Sequence, residues 1–168
     1  MEPYNSKWID DFDEIKNKLT NIFGEKALSI EHVGSTSIEG MPSKPIIDVL
    51  VTTLKMESFD NEKKEMIDIG YQWEEDYIEP NSLLFIKENL SGEKTENIHV
   101  LVDNSPKAIQ FITMRDYLRL HSDRAQAYGK LKMNLKREHP DDYPAYREGK
   151  QKFLDETEKL TQEWIAER

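Results

Sequence analysis

Seven residues in the first third of the chain, Pro45-Ile46-Ile47-Asp48-Val49-Leu50-Val51, form an almost continuous apolar run. A run this short, rich in β-branched residues and opened by a proline, reads as a strand buried on both faces and therefore central in a sheet. Asp48 interrupts it. A carboxylate without a partner at such a position is costly, so Asp48 needs a counter-charge. A structural pairing with Lys44 or an arginine is one solution, and a bound divalent cation is another.

The residues before this strand favour ligand chemistry. Leu28-Ser29-Ile30-Glu31-His32-Val33 alternates apolar and polar positions like a strand. Gly34 to Pro45 reads as a loop with a short helical turn, holding two glycines, two prolines and four hydroxyl residues. Gly34 lets the backbone turn sharply and lets a ligand approach closely. Ser35, Thr36 and Ser37 offer hydroxyls and backbone N–H groups that suit phosphate oxygens, and Lys44 adds positive charge. Magnesium or manganese would take the Asp48 carboxylate together with substrate phosphates. A structural alternative is a Ser/Thr-rich connection with no ligand.

The remaining pattern is regular. Trp8, Phe12, Ile15, Leu19 and Ile22 recur at helical spacing, with Asn5 or Ser6 as cap and Gly24 as stop. Phe59 to Ile69 reads as a charged amphipathic helix closed by Gly70, and Tyr71 to Glu75 as a short strand. Leu83 to Asn89 and Asn97 to Val102 read as a hairpin around Ser91-Gly92-Glu93-Lys94. Helices are expected near 106–121, 123–138 and 143–166, broken before the last by His139-Pro140-Asp141-Asp142. The sum is α+β in one domain, 1–168: a small mixed sheet flanked by helices, with a helical C-terminal third.

Charge narrows the partners. With 33 acidic against 23 basic residues the formal charge is −10. Such a surface repels nucleic-acid backbones, so no extended nucleic-acid footprint is expected, and a small-molecule or nucleotide ligand is the expected partner. The acidic runs Glu57–Glu79 and Asp155–Glu167 read as solvated helix faces. There is no cysteine, hence no disulfide. The N-terminus does not read as a signal peptide and no apolar run reaches membrane-span length, so a cytoplasmic protein without membrane contact is the expectation.

Ile30-Glu31-His32-Val33-Gly34-Ser35-Thr36-Ser37, Gly40 and Lys44-Pro45-Ile46-Ile47-Asp48 resemble the signature of the GrpB family, placed in the nucleotidyltransferase superfamily. The resemblance continues through Gly70-Tyr71, Asn97-Ile98-His99-Val100, Arg115-Asp116-Tyr117-Leu118-Arg119, Tyr128 with Leu131-Lys132, and Tyr146 with Lys150 and Phe153. It implies a nucleotidyltransferase-like sheet with the site at its edge. It also implies metal-dependent transfer of a nucleotidyl group from an NTP, in which carboxylates on neighbouring strands hold two divalent metals. The phosphates would lie on Gly34, Ser35, Thr36 and Ser37, with Asp48 catalytic.

One position departs from that pattern. The second carboxylate, two residues after the first, is Leu50 here, and leucine cannot ligate metal. A later strand offers His99, and alternation puts His32 on the opposite face from Glu31 and Val33. The sequence therefore leaves open a metal site of Asp48, His99 and His32, as well as a binding module without transfer chemistry. Arg115 and Arg119, four apart on one helix, offer a positive wall for a phosphate or carboxylate, unless neighbouring carboxylates such as Asp116 claim them. The stripe Tyr146, Phe153, Leu160 and Trp164 reads as core.

Overall fold

The computed structural model describes residues 1–168. In chain order its elements are α1 Lys7–Phe23, β1 Ala27–Val33, β2 Ile47–Thr53, α2 Asp60–Asp68, β3 Tyr71–Glu75, β4 Leu83–Glu88, β5 Lys94–Val102, α3 Pro106–Leu120, α4 Ser122–Glu138 and α5 Tyr143–Ala166. The strands form one sheet in the order β1-β2-β5-β4-β3. β2 and β5 run parallel and every other pair is antiparallel, so the sheet is mixed and the fold is α+β.

Residues 47–51 of the apolar run, extended by Thr52 and Thr53, form β2, while Pro45 and Ile46 stay in the loop; β1 lies on one side and β5 on the other. Register fixes which side chains share a face. Val33 lies opposite Asp48, and Asp48 opposite Asn97, while Leu50 stands between Glu31 and His99. Glu31, Val33, Asp48, Leu50, Asn97 and His99 thus occupy one face, and His32, Val49, Val51, Ile98 and Val100 the other.

The second face is packed by α1 and α2 around a core that includes Trp8, Leu19, Phe23, Val49, Val51, Phe85 and Met66. Fully burying one such side chain contributes roughly 1.5–3 kcal/mol. The helical reading of α1 follows from this: Trp8, Ile15 and Leu19 are buried, and Phe12 and Ile22 lean against the same core. Gly24 ends it at φ +53°. Ser6 makes no side-chain cap, and Asn5 Oδ1 instead accepts from the Lys7 N–H at 2.9 Å.

Over the first face, α3 covers Val33, Leu50 and Leu101. A third cluster joins the three C-terminal helices to the loop after β1, through Ile38, Met41, Tyr117, Leu118 and Tyr128, with Phe153, Leu160 and Trp164 against it. That cluster sets α4 and α5 beside Gly34–Ser37.

Two expectations need adjusting. β5 begins at Lys94 rather than Asn97, because Asn89 Oδ1 accepts from the Ser91 and Glu93 N–H groups and closes the turn earlier. Within the acidic run Glu57–Glu79, Glu62 is buried, with Lys26 Nζ 2.9 and 3.1 Å from its carboxylate oxygens. No helix is long and apolar enough to cross a membrane.

Candidate functional site

β1 delivers the chain to Gly34 at φ +74° and ψ −175°, a conformation open to glycine. A Cβ built there would stand 2.6 Å from Asp48 Oδ2, so the carboxylate lies directly against the Gly34 backbone. Ser35–Ser37 form a single 3₁₀ turn, closed by the Ser37 N–H to the Gly34 carbonyl (3.1 Å) and the Ser37 hydroxyl to the same oxygen (2.5 Å). Thr36 is buried, its hydroxyl donating to the Ile46 carbonyl at 3.3 Å. Here the turn is stitched to the start of β2.

Asp48 is partly exposed, and Asn97 Nδ2 donates to its Oδ1 at 3.2 Å. His99 Nε2 is 3.8 Å from the same oxygen. Asn97 Oδ1 and His99 Nδ1 are buried without a hydrogen-bond partner, which makes the surroundings of Asp48 polar and incompletely satisfied.

Four lysines from four segments meet there. Lys44 comes from the loop, Lys94 from β5, Lys132 from α4 and Lys150 from α5, and with Ser35, Asp48, Asn97, Tyr143 and Tyr146 they line a cavity of about 330 Å³. Lys132 is only 3% exposed, and its Nζ donates to Ser35 Oγ at 2.9 Å. Burial, reinforced by the Lys150 ammonium, pushes the Lys132 amine down to about 7. Burial and Lys44 lower Lys150 as well, against a smaller opposing pull from Asp48. One carboxylate faces four lysine amines, so the cavity is short of negative charge. Lys44 and Lys150 also lie over the Tyr146 ring, at 5.8 and 5.1 Å from its centroid.

The other residues singled out from the sequence lie elsewhere. Arg115 is tied by Nη1 to Glu31 Oε2 (2.7 Å) and by Nε and Nη2 to Asp116 Oδ1 (3.0 and 2.9 Å), while Arg119 Nε donates to the Ser37 carbonyl at 3.0 Å. Arg119 thus grips the turn from its far side, Arg115 holds β1 through Glu31 and the His32 carbonyl, and neither lines the lysine cavity.

His32 does not join Asp48 and His99. The register puts it on the α1 face, where its ring stacks on Phe12 with centroids 4.8 Å apart and Nε2 bonds to Thr36 Oγ1 at 2.9 Å. Burial, with Arg119 and Arg115 nearby, lowers it to about 4. The proposed trio of metal ligands therefore divides across the sheet, and no group of three or more His, Asp or Glu side chains is placed to hold an ion.

The sequence pattern does not mark Lys94, Lys150, Tyr143 or Tyr146 as ligand residues; Tyr146 is buried, as the core stripe implies, and lines the cavity as well. The available signal was indirect: an acidic chain whose glycine-serine turn needs cations from somewhere.

Fold and site together define an α+β protein with a lysine-lined, anion-receptive cavity closed on one side by a glycine-serine turn. The chain belongs to the GrpB family: residues 1–160 match the family described as GrpB protein. It is 33% identical over 161 residues to the protein YqkA of Bacillus subtilis, covering 96% of this chain and 46% of that one. This chain thus spans less than half of YqkA. It is 34% identical over 160 residues to the glutamate-rich protein GrpB of Alkalihalophilus pseudofirmus, covering 91% of this chain and 90% of that one. The crystal structure of GrpB from Enterococcus faecalis superimposes with a TM-score of 0.89 at 30% identity, over 97% of each chain.

Proposed function

We propose that this chain binds a phosphorylated small molecule, with a nucleotide as the favoured class, by placing its phosphates in the lysine cavity against Ser35. The observation that carries this reading is the meeting of Lys44, Lys94, Lys132 and Lys150 around that turn in a chain of formal charge −10. A phosphate would restore the missing negative charge and favour the protonated form of Lys132. The Gly34–Ser37 turn would add backbone donors, and Tyr143 and Tyr146 flat surface beside the phosphates.

A second reading, nucleotidyl transfer from an NTP, draws support from Asp48. Its carboxylate sits among the lysines, where it would repel a ligand phosphate unless it took a proton or a cation. The donor set does not fit a two-metal centre, because Leu50, fully buried, replaces the second carboxylate. A single Mg²⁺ or Mn²⁺ between Asp48 and the ligand phosphates fits better, and it would supply charge neutralisation there.

Calorimetry and thermal shift with pyrophosphate and each of the four NTPs, in Mg²⁺, in Mn²⁺ and in EDTA, test both readings. Binding is expected in at least one nucleotide arm, lost or weakened at least tenfold (about 1.4 kcal/mol) in Lys132→Met and Lys150→Met. If every arm shows neither heat nor stabilisation, phosphate binding is refuted. Binding that survives EDTA and Asp48→Asn, without nucleotide turnover, supports a binding module. Turnover abolished by Asp48→Asn supports transfer.

A further inference from the structure

Across the turn from the lysines lies a wider cleft of about 810 Å³, walled by α1, β1, the turn, α3 and α4. Phosphate binding makes no use of it. Its size falls within the roughly 300–1,000 Å³ of ordinary small-molecule sites. Ile9 on the α1 wall and Met133 on the α4 wall are 52% and 50% exposed, so apolar surface remains uncovered on both sides.

The charges lining the cleft are unevenly matched. Lys16, Arg115, Arg119 and Lys130 face only Glu31 and Glu39. Arg115 already holds Glu31 and Asp116. Arg119 has no ion-pair partner, and its one hydrogen bond, from Nε to Ser37, leaves both Nη groups free. Burial and the Arg115 guanidinium hold Arg119 below its ordinary value, a strain that an anion would relieve.

His32 supplies the complementary group. Thr36 Oγ1 commits its proton to the Ile46 carbonyl, so it accepts from His32 Nε2–H. That network assigns the Nε2–H tautomer to a ring kept neutral by its surroundings. The lone pair is then on Nδ1, which has no hydrogen-bond partner in the protein.

We infer that this cleft is a second ligand site, for a small organic carboxylate with an apolar body and a hydroxyl or amine donor beside the carboxylate. The carboxylate pairs with the free face of Arg119, the donor reaches His32 Nδ1, and the body rests on Ile9, Met41 and Met133. The site stands independently of the phosphate reading.

The test uses the full chain, 3-phenyllactate as probe, and backbone amide NMR. Saturable shifts are expected at Thr36, Met41 and Arg119. 3-Phenylpropionate, which lacks the hydroxyl, and 3-phenyl-1,2-propanediol, which lacks the carboxylate, should each bind at least about tenfold more weakly. Arg119→Gln should cost a similar factor. Lys16→Glu, an exposed change on α1 that leaves the turn untouched, should weaken binding roughly two- to fivefold. Excess pyrophosphate should leave the affinity for 3-phenyllactate within about twofold. No saturable shift in the cleft, equal affinity in Arg119→Gln and wild type, or displacement by pyrophosphate would overturn the inference. Failure of pyrophosphate to bind, with 3-phenyllactate binding intact, would count against the phosphate reading alone.

Discussion

Gly34 is under two separate constraints. Its backbone conformation is closed to other residues, and its missing Cβ is what lets the Asp48 carboxylate approach. Gly34→Ala should therefore destabilise the chain by about 1–3 kcal/mol, seen as a lowered denaturation midpoint, and abolish pyrophosphate binding by pushing Asp48 and Ser35 apart. Lys132 carries a different cost. Its amine titrates at about 7 when folded against an ordinary 10.5, so between those values the unfolded chain holds a proton that the folded chain lacks. Stability then rises with pH across that window, and the penalty is fully present below about 7. Lys132→Met should accordingly be more stable than wild type at pH 6, by up to a few kcal/mol, with the gain shrinking as the pH approaches 10. Chemical denaturation of both proteins at the two pH values measures this. A gain independent of pH would mean that burial of the amine is not the cause. The same titration predicts proton uptake when phosphate binds at pH 8, read as a binding heat that changes with the ionisation enthalpy of the buffer.

At the scale of elements, the site depends on how closely α4 and α5 approach their neighbours. A Cβ at Gly129 would meet Pro42 Cδ at 2.9 Å, and one at Gly149 would meet Leu135 Cδ2 at 2.5 Å. Gly129→Ala sets a helix-propensity gain of up to about 1 kcal/mol against an overlap with a rigid ring costing about 1–3 kcal/mol. Thermal stability should thus change little or fall slightly. Lys132, one turn further along α4, should move off Ser35, and pyrophosphate affinity should drop at least severalfold. Unchanged affinity would show that the α4–loop contact does not position Lys132. The helices themselves were legible in the sequence because their ends carry local marks. Ser105 accepts from the Ala108 N–H at 3.4 Å, and Asp142 from the Ala145 N–H at 3.1 Å. Alternation likewise separated His32 from Glu31 and Val33. It did not show which face Asp48 would share, because that depends on the register of β1 against β2, and the intervening loop leaves no periodic trace of its path. The lysines escaped for a related reason: Lys132 and Ser35 are 97 positions apart, and a lysine headed for a pocket looks in sequence like one headed for solvent.

For the whole molecule, the contrast is between an acidic exterior and a small basic interior. Long duplex phosphate backbones need a broad cationic face, which a chain of formal charge −10 does not offer. Fluorescence anisotropy with a labelled 20-base-pair duplex at about 50 mM salt should show no binding, while pyrophosphate binds under the same conditions. Duplex binding that pyrophosphate competes away would instead place a polymer in the lysine cavity. The pairing of Asp48 with Asn97, 49 residues later, and of Ser35 with Lys132, has a kinetic consequence. β2 and β5 are parallel partners with β3, β4 and α2 between them in the chain, and such distant pairings form late, after long loops have closed. Ser35 then waits for α4 and α5. A partly folded chain holds the turn without its lysines, so a phosphate ligand recognises little that precedes the native state. It should slow unfolding and leave the folding rate nearly unchanged.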